Sequence, residues 1–384
     1  MKILQIGKGW FPEEPGGLNR YFYDCVHALP QVGIEVQGLV AGSDRAYQES
    51  SGRVQTFALA KASLPKRWLG ARRWVAQQSD LPPLVVSHFA LYTFPVLNQL
   101  GDRPLVVHFH GPWALEGQAE GAKAIAVRFK QWLEQTCYRR AVVFIVLSQA
   151  FRDILHHSYG VPLETIQVVP GGVDPQHFHT GLSRQQAREK LDWESDRPTI
   201  VVVRRLAKRM GLENLIQAIA QVRDQYPDIV VKIAGKGSLK DALQQQIEAL
   251  DLTQQVQLLG YVPDEQLPLI YRAADFSMVP TVSLEGFGLI VVESLAAGTP
   301  VLGTPIGGIP EILRPFSSDL VLEGSEPAQL ARGILQALSG ERSLPDDKAC
   351  QTYVAENFAW PLIATRLKSI YEAAYKAAAK GRVA

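Results

Sequence analysis

Short, uninterrupted apolar runs alternate with stretches of helical periodicity, and this alternation limits the folds open to the chain more than any other feature. In the first half the runs are KILQI (2–6), EVQGLV (35–40), LVVSHF (84–89), LVVHFH (105–110), VVFIVL (142–147) and IQVVP (166–170). A strand that is apolar throughout must be covered on both faces, as in a parallel sheet flanked by helices. After Gly17, the residues Leu18, Phe22, Cys25, Val26 and Leu29 share one helical face and Gly33 supplies a stop; 119–140 reads as one long helical stretch. The second half repeats the alternation with TIVVV (199–203), a helix over 211–225, IVVKIAG (229–235), VQLLG (256–260), DFSMVP (275–280), PVLGT (300–304) and DLVL (319–322). Two such series predict an α/β chain with two doubly wound parallel-sheet domains, divided near the turn-rich GGVDPQHF (171–178). From Trp360 onward, Leu362, Ile363, Leu367, Ile370, Tyr371 and Tyr375 fall at helical spacing, which predicts a packed terminal helix.

Doubly wound sheets bind ligands beyond the carboxyl ends of their strands, so two of them predict a site in the cleft between domains. The 384 residues suit two to three domains, and a net charge of +1 offers no global field to attract nucleic acid. Cys25, Cys137 and Cys350 are odd in number and widely spaced, which fits a reducing compartment better than a disulfide or zinc framework. MKILQIG enters strand-like sequence at once, without a signal-peptide pattern. The longest apolar run, AVVFIVL (141–147), is too short to span a bilayer. The expectation is a soluble, cytoplasmic protein.

The distinctive motifs lie at predicted strand ends. EGFGLIVVESLAAGTP (285–300) joins an acid, a Gly-Phe-Gly turn, the start of a helix and a second acid, Glu293. Bare amides at a helix N-terminus attract phosphate, whereas carboxylates repel it. Both belong together if the ligand is part anion and part polyol, as a nucleotide sugar is. In GKGWFPEEPGGLNRY (7–21), Gly16 and Gly17 precede a helix start where a diphosphate or sugar could approach the backbone; a plain glycine turn explains them equally well. A dinucleotide fingerprint fails there, because Pro12 stands where the third glycine belongs. In HFHGPW (108–113), His108 and His110 share one face of a strand; no third ligand with its own spacing accompanies them, so no metal site is predicted. Arg204, Arg205, Lys208 and Arg209 cluster between a strand and a helix and could grip phosphate oxygens. KASLPKRWLGARRWV (61–75) suits either contact with an anionic membrane surface or a partly buried helix with exposed arginines.

Taken together, PGG-x-x-R-Y (15–21), the segment at His110, VVPGGVD (168–174), IAGKGSLKDAL (233–243), LLGYVPDEQLP (258–268), the stretch 274–313 with its E-x7-E pair, and the terminal FAW-x-x-I-A helix resemble the retaining glycosyltransferases of family 4, or glycosyl transferase group 1. The resemblance covers nearly the whole chain. It implies a GT-B fold of two Rossmann-like domains: residues 1–172 for the acceptor, 173–358 for the nucleotide-sugar donor, and a terminal helix, 359–384, crossing back to the first domain. It also implies sugar transfer with retention and no obligatory metal or other cofactor.

By the same resemblance Arg205 pairs with the diphosphate and Glu285 binds donor-sugar hydroxyls. The amides of Gly286, Phe287, Gly288 and Leu289 hold sugar and phosphate, and Glu293 holds the ribose. Gly16 and Gly17 approach the diphosphate or sugar, His110 lies beside the reacting carbon, and Val262 contacts the base. The chain departs from the family's G-R-L…K-G pattern: Arg204 replaces the glycine and Met210 the lysine, leaving Arg209 or Lys208 to supply the missing charge. A UDP-sugar is the first expectation for the donor and a GDP-sugar the second; the acceptor is a sugar, polysaccharide or lipid. Peripheral contact with the inner face of the membrane would run through 61–75. The rival readings are a GT-B nucleotide-sugar epimerase and a non-catalytic regulator that binds nucleotide sugar or glycan.

Overall fold

The computed structural model describes residues 1–381, which form two compact units. The first unit is residues 1–172 with the helix that begins at Trp360; the second is 173–359.

The first unit holds seven strands: β1 (Lys2–Gly9), β2 (Glu35–Ala41), β3 (Val54–Ala58), β4 (Leu84–Ser87), β5 (Leu105–Phe109), β6 (Ala141–Val146) and β7 (Ile166–Val168). Their order is β3-β2-β1-β4-β5-β6-β7, with every pair parallel. The chain runs outward from β1 through β2 to β3, then returns to lay β4 on the other side of β1. That reversal opens a crevice at the carboxyl ends of β1 and β4. Right-handed crossovers put helices of opposite winding direction on opposite faces of the sheet. Helix α1 (Gly17–Ala28) therefore covers one face, and α2 (Leu64–Ala76) and α3 (Ala124–Tyr138) the other. One core cluster joins Ala71, Trp74 and Val75 of α2, Val96 and Leu100 of the segment that follows β4, and the inward residues of β1, β4, β5 and β6.

The second unit holds β8 (Thr199–Val203), β9 (Val230–Ala234), β10 (Val256–Gly260), β11 (Phe276–Val279) and β12 (Val301–Gly303), in the order β10-β9-β8-β11-β12, again all parallel. Its reversal lies between β8 and β11. Helix α4 (Leu212–Val222) follows β8, and α5 (Leu289–Ala296) lies between β11 and β12. Gly235 closes the far side: its φ is 153°, and a Cβ there would lie 1.7 Å from the Arg204 carbonyl oxygen, so only glycine lets β9 run this close to the end of β8.

The structure differs from the sequence reading at several points. The stretch 119–140 is not one helix: Trp113–Ala119 and α3 are separated by residues 120–123, where Gly121 has φ 83°. DLVL (319–322) is not a strand; Ser318–Leu320 is a 3-10 turn, followed by a lone bridge from Val321 to Gly303. Strand β3 is an addition, and α4 ends at Val222 rather than 225. The terminal helix α6 (Trp360–Gly381) buries Ile363, Leu367 and Tyr371 completely, whereas Leu362 and Tyr375 face solvent. Lys368 of α6 donates to the Val32 carbonyl at 2.8 Å.

Candidate active site

In the second unit, Glu285 lies on the loop between β11 and α5. Its carboxylate accepts from Arg204 Nη2 at 2.5 Å and from Thr281 Oγ1 at 3.2 Å. The two charged side chains are only 8% and 12% exposed. Arg204 also donates to Thr281, so the three form a closed triangle at the carboxyl ends of β8 and β11. The parallel pairing of these strands brings residues 81 positions apart into contact. The Glu285 backbone carbonyl accepts from Gly308 N at 3.0 Å, which fixes the turn against the loop after β12.

The turn then opens α5. Gly288 is its N-cap with φ 93°, a left-handed conformation that a residue with a side chain resists. Phe287 points inward, 4% exposed, with its ring centroid 5.8 Å from that of Phe358. Among the described residues, no protein acceptor meets the amides of Gly286, Phe287, Gly288 and Leu289. Unpaired donors at a helix start carry partial positive charge and suit an oxyanion. Glu293 lies further along α5 and accepts from the Tyr271 hydroxyl at 3.2 Å.

The basic residues divide by environment. Arg205 and Lys208 are exposed beyond β8. Arg209 Nη1 donates to the Leu284 carbonyl at 2.8 Å, and Val282 N donates to the Arg209 carbonyl at 3.0 Å, which ties the β8 loop to the approach of Glu285. Met210, at the position of the family's lysine, is buried. Arg204, at the position of the family's glycine, is the cation that touches Glu285. Sequence reading placed it in the basic cluster without a role of its own. Val262 is half-buried just beyond β10.

In the first unit, Gly16 and Gly17 are exposed at the start of α1, where Gly16 is the N-cap with φ 143°. The loop ahead of them is braced from within. Asn19 Oδ1 accepts from Gly9 N at 3.1 Å, Asn19 Nδ2 donates to the Glu14 carbonyl at 2.8 Å, and Lys8 pairs with Glu14 at 2.5 Å.

His110 follows β5 and does not stand alone. Its Nε2 lies 3.1 Å from His88 Nδ1, and His88 is the residue after β4. His108 Nε2 lies 2.7 Å from the Tyr371 hydroxyl of α6. Tyr21 of α1 packs its ring against all three imidazoles, with centroid separations of 6.0 Å (His88), 5.6 Å (His108) and 4.9 Å (His110). Burial pushes the His110 imidazole down to about 3, and holds His88 and His108 well below the ordinary histidine range. The cluster is therefore neutral at physiological pH. Three histidines do gather here, although the sequence offered only two. Their ligand-capable nitrogens lie within 4.8 Å of one another. The rings lie within 20–23° of parallel, and His88 Nδ1 and His110 Nε2 are engaged with each other, which leaves neither of those two nitrogens to a metal. His88 Nε2 and His108 Nδ1 are buried without a partner.

The 61–75 stretch forms most of α2, and its two tryptophans are engaged with the protein. Trp74 is 8% exposed and bonds Gln55 through its indole nitrogen, and Trp68 packs on Phe94.

Comparison with known proteins gives the family and the fold. The family described as Glycosyltransferase Family 4 matches residues 15–177, and Glycosyl transferases group 1 matches residues 183–356. A D-inositol 3-phosphate glycosyltransferase of Corynebacterium kroppenstedtii is 30% identical over 97% of this chain and 88% of its own. Among solved structures, sucrose-phosphate synthase of Thermosynechococcus elongatus matches with a TM-score of 0.79 at 22% identity, over 98% of this chain and 99% of its own. Anabaena HepE in complex with UDP-glucose matches with a TM-score of 0.79 at 20% identity, over 97% of this chain and all of its own. The fold is GT-B. The chain belongs to the family 4, group 1 glycosyltransferases and is a glycosyltransferase.

Proposed function

We propose that the protein moves a hexosyl unit from a UDP-sugar to a hydroxyl of a sugar, polysaccharide or lipid acceptor, with retention and without an obligatory metal ion. The observation that carries this reading is the Glu285 turn: a braced carboxylate beside unpaired helix-start amides suits a ligand with hydroxyls on one side and phosphate on the other. The complex of HepE with UDP-glucose supports uridine over guanosine. In this reading the second unit binds the donor and the first the acceptor.

Glu285 accepts hydrogen bonds from sugar hydroxyls through the capacity that Arg204 and Thr281 leave open. The amides of residues 286–289 hold the sugar and phosphate, and Gly16 and Gly17 offer backbone to the diphosphate or sugar. Glu293 accepts from the ribose hydroxyls, and Val262 offers backbone contact to the base. Charge builds on the diphosphate as the bond from C1 to the phosphate oxygen breaks. Arg205 stabilises it, and Arg209, Lys208 and the amides add to a preorganised positive field. Fixed dipoles and charges of this kind usually contribute more to rate than any other single effect. The acceptor oxygen bonds to C1 on the face the diphosphate leaves. Its proton passes to the departing phosphate oxygen, so the products are glycoside and UDP. His110, kept neutral by burial, places a polar but uncharged group beside C1, where an imidazolium would oppose the positive charge developing on the sugar ring.

Proton NMR of the reaction with a UDP-hexose tests this directly. An α-linked product from an α-linked donor, at a rate that EDTA leaves unchanged, is expected. A β-linked product would overturn retention, and loss of activity in EDTA with recovery on adding a divalent ion would overturn the metal-free reaction.

A further inference from the structure

Outside the site, the most unusual surface lies on the face of the first unit covered by α2 and α3. Ile125, Phe129 and Trp132 of α3 fall at i, i+4 and i+7 and are 78%, 44% and 50% exposed. Large apolar side chains arranged along one helix stripe and left in water signal an interaction surface. Leu69 of α2 is 47% exposed as well. An aromatic row joins the helices: Trp68 of α2 contacts Phe94 with centroids 5.4 Å apart, Phe94 contacts Trp132 at 5.0 Å, and Trp132 stacks on Phe129 at 6.0 Å. Arg72 ties α2 to the same segment, donating to the Pro95 carbonyl at 2.6 Å and to Asn98 at 2.9 Å. Helices α2 and α3 thus lie on one sheet face, joined through Phe94 by this aromatic row.

The charges on this face have one sign. Helix α2 exposes Lys66 and Arg73 and contains no acid. Helix α3 exposes Arg128, Lys123 caps its start, and its one acid, Glu134, is turned inward to accept from Trp113 N at 2.9 Å and the Tyr159 hydroxyl at 2.9 Å. The nearest exposed acids along the chain, Asp80 and Glu120, lie outside both helices. A chain with a net charge of only +1 has concentrated cations around an apolar stripe.

We propose that this face docks on an anionic lipid surface, with Ile125, Phe129, Trp132 and Leu69 entering the interface and Lys66, Arg73, Lys123 and Arg128 meeting the headgroups. Aromatic and aliphatic side chains rimmed by cations have the chemistry of an interfacial helix face. A second copy of the chain is the poorer occupant, because a two-fold contact would set these cations against themselves. Among the described residues no helix is long and apolar enough to cross a membrane, so the contact is peripheral. The docking surface moves from the sequence-expected 61–75 stretch to the outer side of α3, with α2 supplying cations and Leu69 rather than its tryptophans.

Cosedimentation of the full chain with vesicles of phosphatidylcholine alone, and of phosphatidylcholine mixed with phosphatidylglycerol, tests the proposal. The chain is expected to pellet with the anionic vesicles only, and to be released by high salt. Ile125→Ser/Phe129→Ser/Trp132→Ser and Lys66→Glu/Arg73→Glu should each lower partitioning about tenfold or more. Both variants change exposed side chains, and an unchanged melting curve verifies that they fold. A wild-type chain that stays in the supernatant, or a folded triple variant that pellets as well as wild type, overturns the proposal. So does a dimer in vesicle-free solution that the triple variant dissolves, which would assign the face to a second copy.

Discussion

The two units treat titratable groups at their strand ends in opposite ways. In the second unit charge is paired: Glu285 accepts hydrogen bonds from Arg204 and Thr281. In the first unit charge is removed: His88, His108 and His110 are packed together until burial leaves them neutral. A site for a diphosphate needs fixed charges and dipoles. A site for hydroxyls beside a cation-like sugar is better served by polar groups that carry none. The difference is consistent with the proposed division into donor and acceptor units and shows which residues to disturb.

The sharpest way to break the contrast is Glu285→Ala. It leaves the Arg204 guanidinium buried without its partner, a situation that costs about 3–5 kcal/mol of stability, and it removes the proposed sugar contact. Denaturant melts should show the loss together with abolished transfer. Adding Arg204→Ala should return part of the stability but none of the activity; a double variant no more stable than the single one would mean the pair is not coupled. Next in size, Arg205→Ala should lower kcat by about 10²–10³-fold, the loss expected when charge stabilisation of the proposed leaving group is removed. Near-normal turnover would remove it from the mechanism. Glu293→Ala should raise the donor KM about tenfold or more, as expected for loss of a hydrogen bond to a charged group, with a smaller effect on kcat. An unchanged KM would contradict the ribose role.

A separate test belongs to the neutral side of the comparison. The folded His110 resists protonation down to about 3, whereas its ordinary value is 6.5. Below 6.5 the unfolded chain takes the proton and the folded one does not, so this part of the stability is complete above 6.5 and drains away as pH falls toward 3. Glu134, pushed up to about 7 by burial from an ordinary 4.5, acts in the opposite sense between those values. The difference between wild type and His110→Asn isolates the histidine: the variant should lose less Tm on acidification. Parallel Tm profiles would show that the imidazole is not held neutral.

Much of this was legible in sequence, for a physical reason. Strands buried on both faces must be apolar throughout, so eleven of the twelve were visible as runs. Strand β3 was not, because VQTFA is the sheet edge and leaves Gln55 and Thr56 half-exposed. DLVL misled in the other direction: Leu320 and Leu322 are buried, but by packing rather than by a ladder. His88 was missed because it lies twenty positions before His108, and only the β4–β5 pairing makes them neighbours. The signal was present in two consecutive runs, LVVSHF and LVVHFH, that both carry histidine at their ends. Arg204 could be read as basic, but nothing local shows that it reaches Glu285 across the β8–β11 pairing.

Binding of nucleoside diphosphates followed by thermal shift tests the central claim most directly. Stabilisation by a ligand at a hundred times its Kd is about 2.7 kcal/mol, enough to raise Tm by a readable margin. UDP should raise Tm more than GDP or ADP, and both Arg205→Ala and Glu293→Ala should reduce the shift. If no nucleoside diphosphate moves Tm, or if the variants respond as fully as wild type, the turn from Glu285 to Glu293 is not the donor site.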